Sequence, residues 1–439
     1  MWSPSLAITT GSYRAARAAF NTIETRMKTR IENIAQLVAV PPGPVCGDTM
    51  RRPPIIEDAA LIIEDERIAW FGVRKETPAS ADADVIDARG GTLTPGLIDC
   101  HTHVVYAGSR ENEFEQRIAG ASYIEILEAG GGIRNSVRML RAASEDDLVA
   151  QSLPRVRHML EYGVTTIEAK SGYGLAPEHE LKTLRAIRRV ASQTPVEMIG
   201  TYLAAHTIPP EFDGRADAYL DQMLDPALLK QVVDEGLAEF ADVFCERGAF
   251  NLEQSRRFLT ACRSAGLAPK IHSEQITWTG ATAMACGLGA VSADHLECVT
   301  DEDIAALKAS KTIPVVLPGC SFFLGSPVAP ARKLIEAGLP VALATDVNPG
   351  SCTIESLPLI MSMAATMLRM TPLESLVACT ANAAAALRRA DRLGAIAIGH
   401  QADLVILETP NVNRWAYNVG VNPVAKVIKA GRVVVDRTR

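Results

Sequence analysis

Thr94-Pro-Gly-Leu-Ile-Asp-Cys-His-Thr-His103 is a short apolar run that ends in two histidines one residue apart. With Leu97 to Cys100 as a buried strand, side-chain alternation sends His101 and His103 to the same side just beyond it. Two imidazoles could then hold one metal ion. Such a pair is a weak signal alone, because an isolated His-x-His is more often structural. The missing partners must lie where a single fold would gather them.

Working outward, the middle of the chain alternates short apolar runs with helical patterns, as parallel β/α units do. The runs are Gly96 to Cys100, Val164 to Glu168, Met198 to Leu203, Ala241 to Cys245, Pro269 to His272, Ala290 to Ala293, Ile313 to Leu317 and Pro340 to Ala344. Eight parallel strands predict an α/β fold, a (β/α)8 TIM-like barrel. One intervening helix is signalled by the capping pattern Ser144-x-x-Asp147, with Val149, Leu153, Val156 and Leu160 on one face. Pro154 inside it either kinks the helix or marks a later start.

Both chain ends read as β-structure. Short strands are expected at Gln36 to Val40, Ala60 to Glu64, Arg67 to Phe71 and Asp84 to Asp87. Others are expected at Asp403 to Leu407, Ala425 to Lys429 and Val433 to Asp436. Neither set buries enough surface alone, so residues 27–93 and 397–439 are expected to form one small composite β-sandwich domain around a barrel of residues 94–396. Residues 1–26 carry Arg14, Arg17 and Arg26 against Glu24 and lack the apolar block of a secretory signal. They read as a flexible upstream extension rather than a transit leader.

Composition narrows the class. Of 439 residues, 48% are hydrophobic and 22% charged, an ordinary globular balance, and the net charge of -7 argues against a general nucleic-acid surface. No uninterrupted apolar segment is long enough to span a membrane. The nine cysteines form no C-x-x-C pair, as expected of free thiols in a reducing cytoplasm.

Barrels of this kind place their chemistry at the carboxyl ends of the strands. The first run leads into His101 and His103, the third into His206, the fifth ends in His272, the sixth leads into His295 and the eighth into Asp346. Only His158, His179 and His400 fall elsewhere. Three imidazoles and a carboxylate suit zinc or iron better than calcium or magnesium. The expected ligand set is His101, His103, His272 and Asp346, holding one Zn2+ or Fe2+/Fe3+ ion. His295 is left as general base or hydrogen-bond partner for a tetrahedral intermediate, against a structural alternative in which Asp294 or a carbonyl holds it in the core.

The strand-end His-x-His, the later single histidines and the terminal aspartate resemble the amidohydrolase superfamily. More narrowly, Thr94 to His103, Gly108-Ser-Arg110, Glu168-Ala-Lys-Ser-Gly-Tyr-Gly174, Ala204-Ala-His-Thr-Ile-Pro209 and Ala344-Thr-Asp-Val-Asn-Pro-Gly-Ser351 resemble the imidazolonepropionase family. The resemblance runs from Met27 to the C-terminus. It implies hydrolysis of the cyclic amide 4-imidazolone-5-propanoate to N-formimino-glutamate in histidine degradation, and a homodimer; composition and charge leave neither nucleic acid nor membrane as an expected partner. It also implies that Arg110 anchors the propanoate tail, with substrate contacts from Tyr173, His206 and Gln275, and that Asn348, Gly350 and Ser351 lie near the carboxylate formed on ring opening. A guanidinium can grip that tail bidentately, and a residue without Cβ lets a backbone amide approach an anion.

Two details separate neighbouring activities. Cys245-Glu246 follows the fourth run where a metal-bridging carbamylated lysine would be needed, so a single metal is expected, and Lys170 reads as a local hydrogen-bonding residue. Base deaminases resemble His-x-x-Glu at the fifth strand, whereas this chain has His272-Ser-Glu-Gln275. Glutamine cannot shuttle protons, although Glu274 would share the face of His272 if the strand continued. A deaminase and a barrel scaffold without catalysis are therefore the rival readings. Other features receive structural readings. Gly130-Gly-Gly132 is expected to be an active-site loop, Glu178-His-Glu180 a solvated first helical turn, and Trp70, Trp278 and Trp415 packing residues. Cys100, Cys245, Cys320 and Cys352 show no spacing for a second metal site.

Overall fold

The computed structural model describes residues 28–79, 82–120 and 131–438. The expectations for residues 1–26 and for Gly130 lie outside them. On the amino-terminal side are β1 (Lys28–Val38), β2 (Ile55–Glu64), β3 (Arg67–Val73), β4 (Asp84–Asp87) and β5 (Thr92–Pro95). β2 and β3 are joined by the acidic turn Asp65-Glu66, with Asp65 in the left-handed region that a short polar side chain tolerates. The barrel strands follow as β6 (Leu97–Asp99), β7 (Val164–Lys170), β8 (Glu197–Ala205), β9 (Phe240–Cys245), β10 (Ala268–Ser273), β11 (Ser292–His295), β12 (Ile313–Val316) and β13 (Ala342–Leu343). The chain then returns to the first sheet as β14 (Leu404–Leu407), β15 (Val424–Lys429) and β16 (Arg432–Asp436).

The sheet of the two ends is mixed, in the order β16-β15-β14-β5-β1-β2-β3, with β4 beside β1. It has its own apolar core, where Ile31, Leu37, Leu61 and Ile63 from one end meet Leu404, Ile406 and Ile428 from the other. The composite β-domain expected from two β-rich ends is present. Its central joint is β5, parallel to β1 and antiparallel to β14.

β6 to β13 lie side by side in chain order, and every pair is parallel. The seam between first and last strand is closed just beyond their ends. Asp346 N donates to the carbonyl of His101 at 3.0 Å, and His103 N to that of Val347 at 2.9 Å. Asp99, buried beneath them, accepts from Thr345 N at 3.1 Å and Thr345 Oγ1 at 2.7 Å. The segments that carry candidate ligands are thus the ones that close the barrel.

Gly96 marks the crossing between sheets. Its amide donates to Asp403 O of the terminal sheet at 2.8 Å, and the next amide, Leu97 N, donates to Gly163 O of the barrel side at 2.9 Å. A Cβ at Gly96 would lie 2.6 Å from the Thr165 side chain, so a larger residue would wedge the joint open. The helix Glu145–Glu161 begins with the expected capping box, Asp147 N donating to Ser144 Oγ at 3.1 Å and Ser144 N to Asp147 Oδ2 at 3.0 Å. Pro154 remains inside this helix, which a buried face of Leu148, Val149, Val156 and Met159 holds against the barrel.

Candidate metal centre

The end of β6 delivers His101 and His103, the end of β10 His272, the end of β11 His295, and the turn after β13 Asp346. All five are buried. His295 at φ 84° and Asp346 at φ 56° occupy left-handed backbone, where each strand breaks off and turns its side chain over the barrel mouth. His272 Nε2 and His103 Nε2 are 3.4 Å apart, and Asp346 Oδ1 lies 3.5 Å from His101 Nε2 and 3.6 Å from His103 Nε2. Four donors at about 2.0–2.1 Å in a tetrahedron sit roughly 3.4 Å from one another, so this spacing fits a shared ion. His101, His103 and His272 form one close group and His101, His295 and Asp346 a second, joined at His101.

Orientation comes from carboxylates beneath. Asp294 Oδ2 accepts from His101 Nδ1 at 2.7 Å, and Asp242 Oδ2 lies 3.0 Å from His272 Nδ1. The first puts the His101 ring proton on Nδ1 and frees Nε2 to face the centre, and the second faces His272 Nδ1 at ion-pair distance. His101 Nε2 is buried with no hydrogen-bond partner among the described residues, the condition of a lone pair awaiting a cation. Lys170 Nζ donates to Asp242 Oδ2 and to Glu168 Oε1, both at 2.7 Å, and lies 3.7 Å from Asp294 Oδ2. It is a buried hub under the ligands, in line with the local hydrogen-bonding role read from the sequence. Burial opposes charge on Asp242, but His272 and Lys170 hold its carboxyl well below the usual range. Asp294, further from Lys170, is raised by burial.

Burial pushes His272 and His206 down to about 4 and holds His101 and His103 well below the ordinary value, so all four rings are neutral donors at neutral pH. Asp346 is raised to about 6 by burial, against the pull of His295. His295 moves the other way. Burial disfavours its charge, but Glu297, 3.5 Å from Nδ1, outweighs that and raises it. Asp294 serves His101 instead, so the alternative that assigned Asp294 to His295 does not hold.

Around this cluster stand the other sequence candidates. His206 stacks on His103 at 5.1 Å between ring centroids and contacts Gly172 O through Nδ1 at 3.0 Å. Tyr173 lies 5.3 Å from His206 and 5.8 Å from His103. Its hydroxyl is raised by burial and by Asp346, against the pull of Arg110. Gln275 Nε2 reaches Cys320 Sγ at 3.4 Å. Arg110 lines a cavity of about 500 Å³ with Tyr106, Pro349, Gly350 and Thr353. Asn348 Oδ1 accepts from Gly350 N at 2.8 Å and Ser351 N at 2.7 Å, organising that turn.

Glu274 does not share the face of His272. Its φ of 52° ends the strand and swings the carboxylate onto the start of the helix Ala281–Gly287. There it accepts from Thr279 N at 3.2 Å, Ala281 N and Thr282 N at 3.0 Å, and from the Thr282 hydroxyl. Glu178-His-Glu180 also corrects the sequence reading. Glu178 is exposed, but Glu180 is fully buried and accepts from the amides of Gly172, Gly174 and Leu175 at 3.0, 2.8 and 2.8 Å, so it shapes the loop that carries Tyr173. Trp415 is core, whereas Trp278 is 57% exposed with Nε1 on Asp303 Oδ2 at 2.9 Å. All nine cysteines are free.

Residues 116–435 match the model of the amidohydrolase family. The imidazolonepropionase of Geobacillus kaustophilus is 46% identical over 93% of this chain and 97% of its own. That of Chloroflexus aggregans is 47% identical over 92% and 98%. The chain belongs to the imidazolonepropionase family. Beyond the imidazolonepropionases the likeness is one of fold. An adenosine deaminase from Xanthomonas campestris with bound zinc superposes with a TM-score of 0.70 at 17% identity, covering 94% of this chain and 93% of that one. A 5-methylcytosine deaminase from Klebsiella pneumoniae gives 0.72 at 17%, covering 94% and 99%. Asp242 and Glu113 were not singled out in the sequence, and Glu180 was read there only as part of a solvated turn. A lone aspartate inside the apolar run Phe240–Cys245 was the available signal for the first.

Proposed function

We propose that this chain opens the ring of 4-imidazolone-5-propanoate by hydrolysis, giving N-formimino-L-glutamate in histidine degradation. The observation that carries the reading is the strand-end cluster of His101, His103, His272 and Asp346, with His206 and Tyr173 against His103 and Arg110 packed on Gly350, four residues beyond Asp346. One zinc or iron ion held by those four would polarise the ring carbonyl and lower the pKa of water to about 7.

The chain's own groups then have distinct tasks. Arg110 grips the propanoate tail and so sets the ring carbonyl over the cluster. His206, Tyr173 and Gln275 hold the ring. Asp346 takes a proton from the attacking water, and His295 donates a hydrogen bond to the oxygen of the tetrahedral intermediate. The ring amide C–N bond breaks as Asp346 returns its proton to the leaving nitrogen. The new carboxylate is received by the turn of Asn348, Gly350 and Ser351. Gln275 and the helix-bound Glu274 supply no proton to a leaving amine, which disfavours deamination. The reading includes a cytoplasmic homodimer acting on a small molecule, with neither nucleic acid nor membrane as partner. Among the described residues no helix is long and apolar enough to cross a membrane.

The test is incubation of purified protein with the imidazolone and measurement of its ultraviolet loss. Turnover is expected, and metal analysis then assigns zinc or iron. Ammonia release from cytosine or guanine with no imidazolone turnover would overturn the proposal.

A further inference from the structure

Arg110 is a long side chain on a loop, and a loop arginine serves as a carboxylate anchor only when its fork is held still. Nε is tied to Glu113 Oε2 at 2.8 Å. The Nη1 side is pressed on backbone, since a Cβ built on Gly350 would lie 2.1 Å from Nη1. The guanidinium is thus held at Nε and at Nη1, and Arg110 lines the cavity together with Tyr106 and Thr353.

Glu113 is itself fixed. Its Oε2 also accepts from Gly132 N at 2.9 Å, and its Oε1 from Asn135 Nδ2 at 2.8 Å. Gly132 precedes the helix Ile133–Ala142, which has no side-chain cap of its own, so the carboxylate meets the positive end of that helix. Glu113 therefore links the helix Glu111–Ile118, the helix Ile133–Ala142 and the Arg110 fork. Arg110 is 16% and Glu113 11% exposed at the side chain, so the pair is poorly screened by water.

We propose that Glu113 is a positioning residue for substrate specificity, which holds the Arg110 guanidinium by its Nε edge so that the terminal nitrogens meet one carboxylate on the substrate. The inference rests on the reading of Arg110 as the tail anchor. Glu113 acts through Arg110 and touches no reacting atom, so its signature falls on substrate binding.

Steady-state kinetics on the imidazolone, with Glu113→Ala, Glu113→Gln, Arg110→Met and the double variant Arg110→Met/Glu113→Ala, tests this. Glu113→Ala raises KM roughly ten- to hundredfold, the loss expected for a misaligned charge-assisted pair, while kcat changes less than about threefold. Glu113→Gln keeps one acceptor oxygen for Arg110 Nε and Gly132 N, without the charge, and leaves KM within about threefold of the parent. In the Arg110→Met background, adding Glu113→Ala brings no further rise. Glu113→Asp, one methylene shorter, replaces the alanine variant if that does not fold, and shows the same KM rise. An unchanged KM in folded Glu113→Ala or Glu113→Asp overturns the inference, as does a full-sized effect in the Arg110→Met background. If Arg110→Met alone leaves KM unchanged, the anchor reading falls and this inference with it. A raised KM in Arg110→Met beside a normal KM in Glu113→Ala removes this inference alone.

Discussion

Asp294 Oδ2 accepts the Nδ1 proton of His101 at 2.7 Å, and this fixes which face of the ring looks into the centre. Removing the acceptor frees the ring to rotate and to change tautomer. Asp294→Ala is expected to weaken zinc affinity by about 10- to 100-fold. Competition with a chromophoric chelator measures it. Parental affinity in a folded variant would show that packing alone orients His101.

Glu274 sits two residues beyond His272 yet is bound to the start of a helix. Glu274→Ala orphans buried amides, so stability falls by about 1–3 kcal/mol in urea denaturation, with kcat of the folded enzyme little changed. A hundredfold loss of kcat at unchanged stability would instead make Glu274 a proton carrier.

Gly350 is required by its neighbour rather than by its own backbone conformation. Gly350→Ala places a methyl 2.1 Å from Arg110 Nη1, so the guanidinium must move. KM for the imidazolone is expected to rise about tenfold or more, and propanoate-tail analogues lose competitive inhibition in parallel. Unaltered inhibition constants would mean that the fork adapts without cost.

Much of this was legible because barrel chemistry collects at strand ends. Period-two alternation in Leu97 to Asp99 and the polar residues after each apolar run placed His101, His103, His272, His295 and Asp346 on one rim. What stayed hidden depends on backbone dihedrals and on distant partners. Glu274 follows alternation on paper, but a φ of 52° reverses it. Glu180 occupies what looks like a charged surface turn, and only the folding back of Gly172 to Leu175 shows that its carboxylate is enclosed by amides. Asp242 lies 30 positions before His272, and only the register of neighbouring strands brings the two together.

The acid limit of stability is expected to depend on Glu374. Burial disfavours its charge, but Arg332, the Thr371 amide and Arg51 outweigh this and hold it down at about 2. Arg332 reaches it through Nη1 at 2.9 Å and Nη2 at 2.5 Å, and Arg51 through Nε at 2.8 Å. An unfolded glutamate titrates near ~4.3. The stabilisation is therefore fully present above that pH and is lost as pH falls toward 2, because the unfolded chain binds the proton first. Thermal melts of Glu374→Gln should lie below the parent at neutral pH and converge with it as the acid is titrated. A gap that persists at pH 2 would contradict this.

The joint at β5 sets the order in which the molecule can be completed. Leu93 pairs with Ile406 in the terminal sheet, and two residues after β5 ends the same chain enters the barrel as β6, which leads to His101 and His103. The start of the ligand-bearing strand is therefore braced by a segment made more than 300 residues later. A ribosome emitting this chain leaves the β14-facing edge of β5 unpaired until β14 to β16 emerge, so the terminal sheet is completed only after the barrel has been synthesised. The metal centre gains its full support only when the last strands close the sheet.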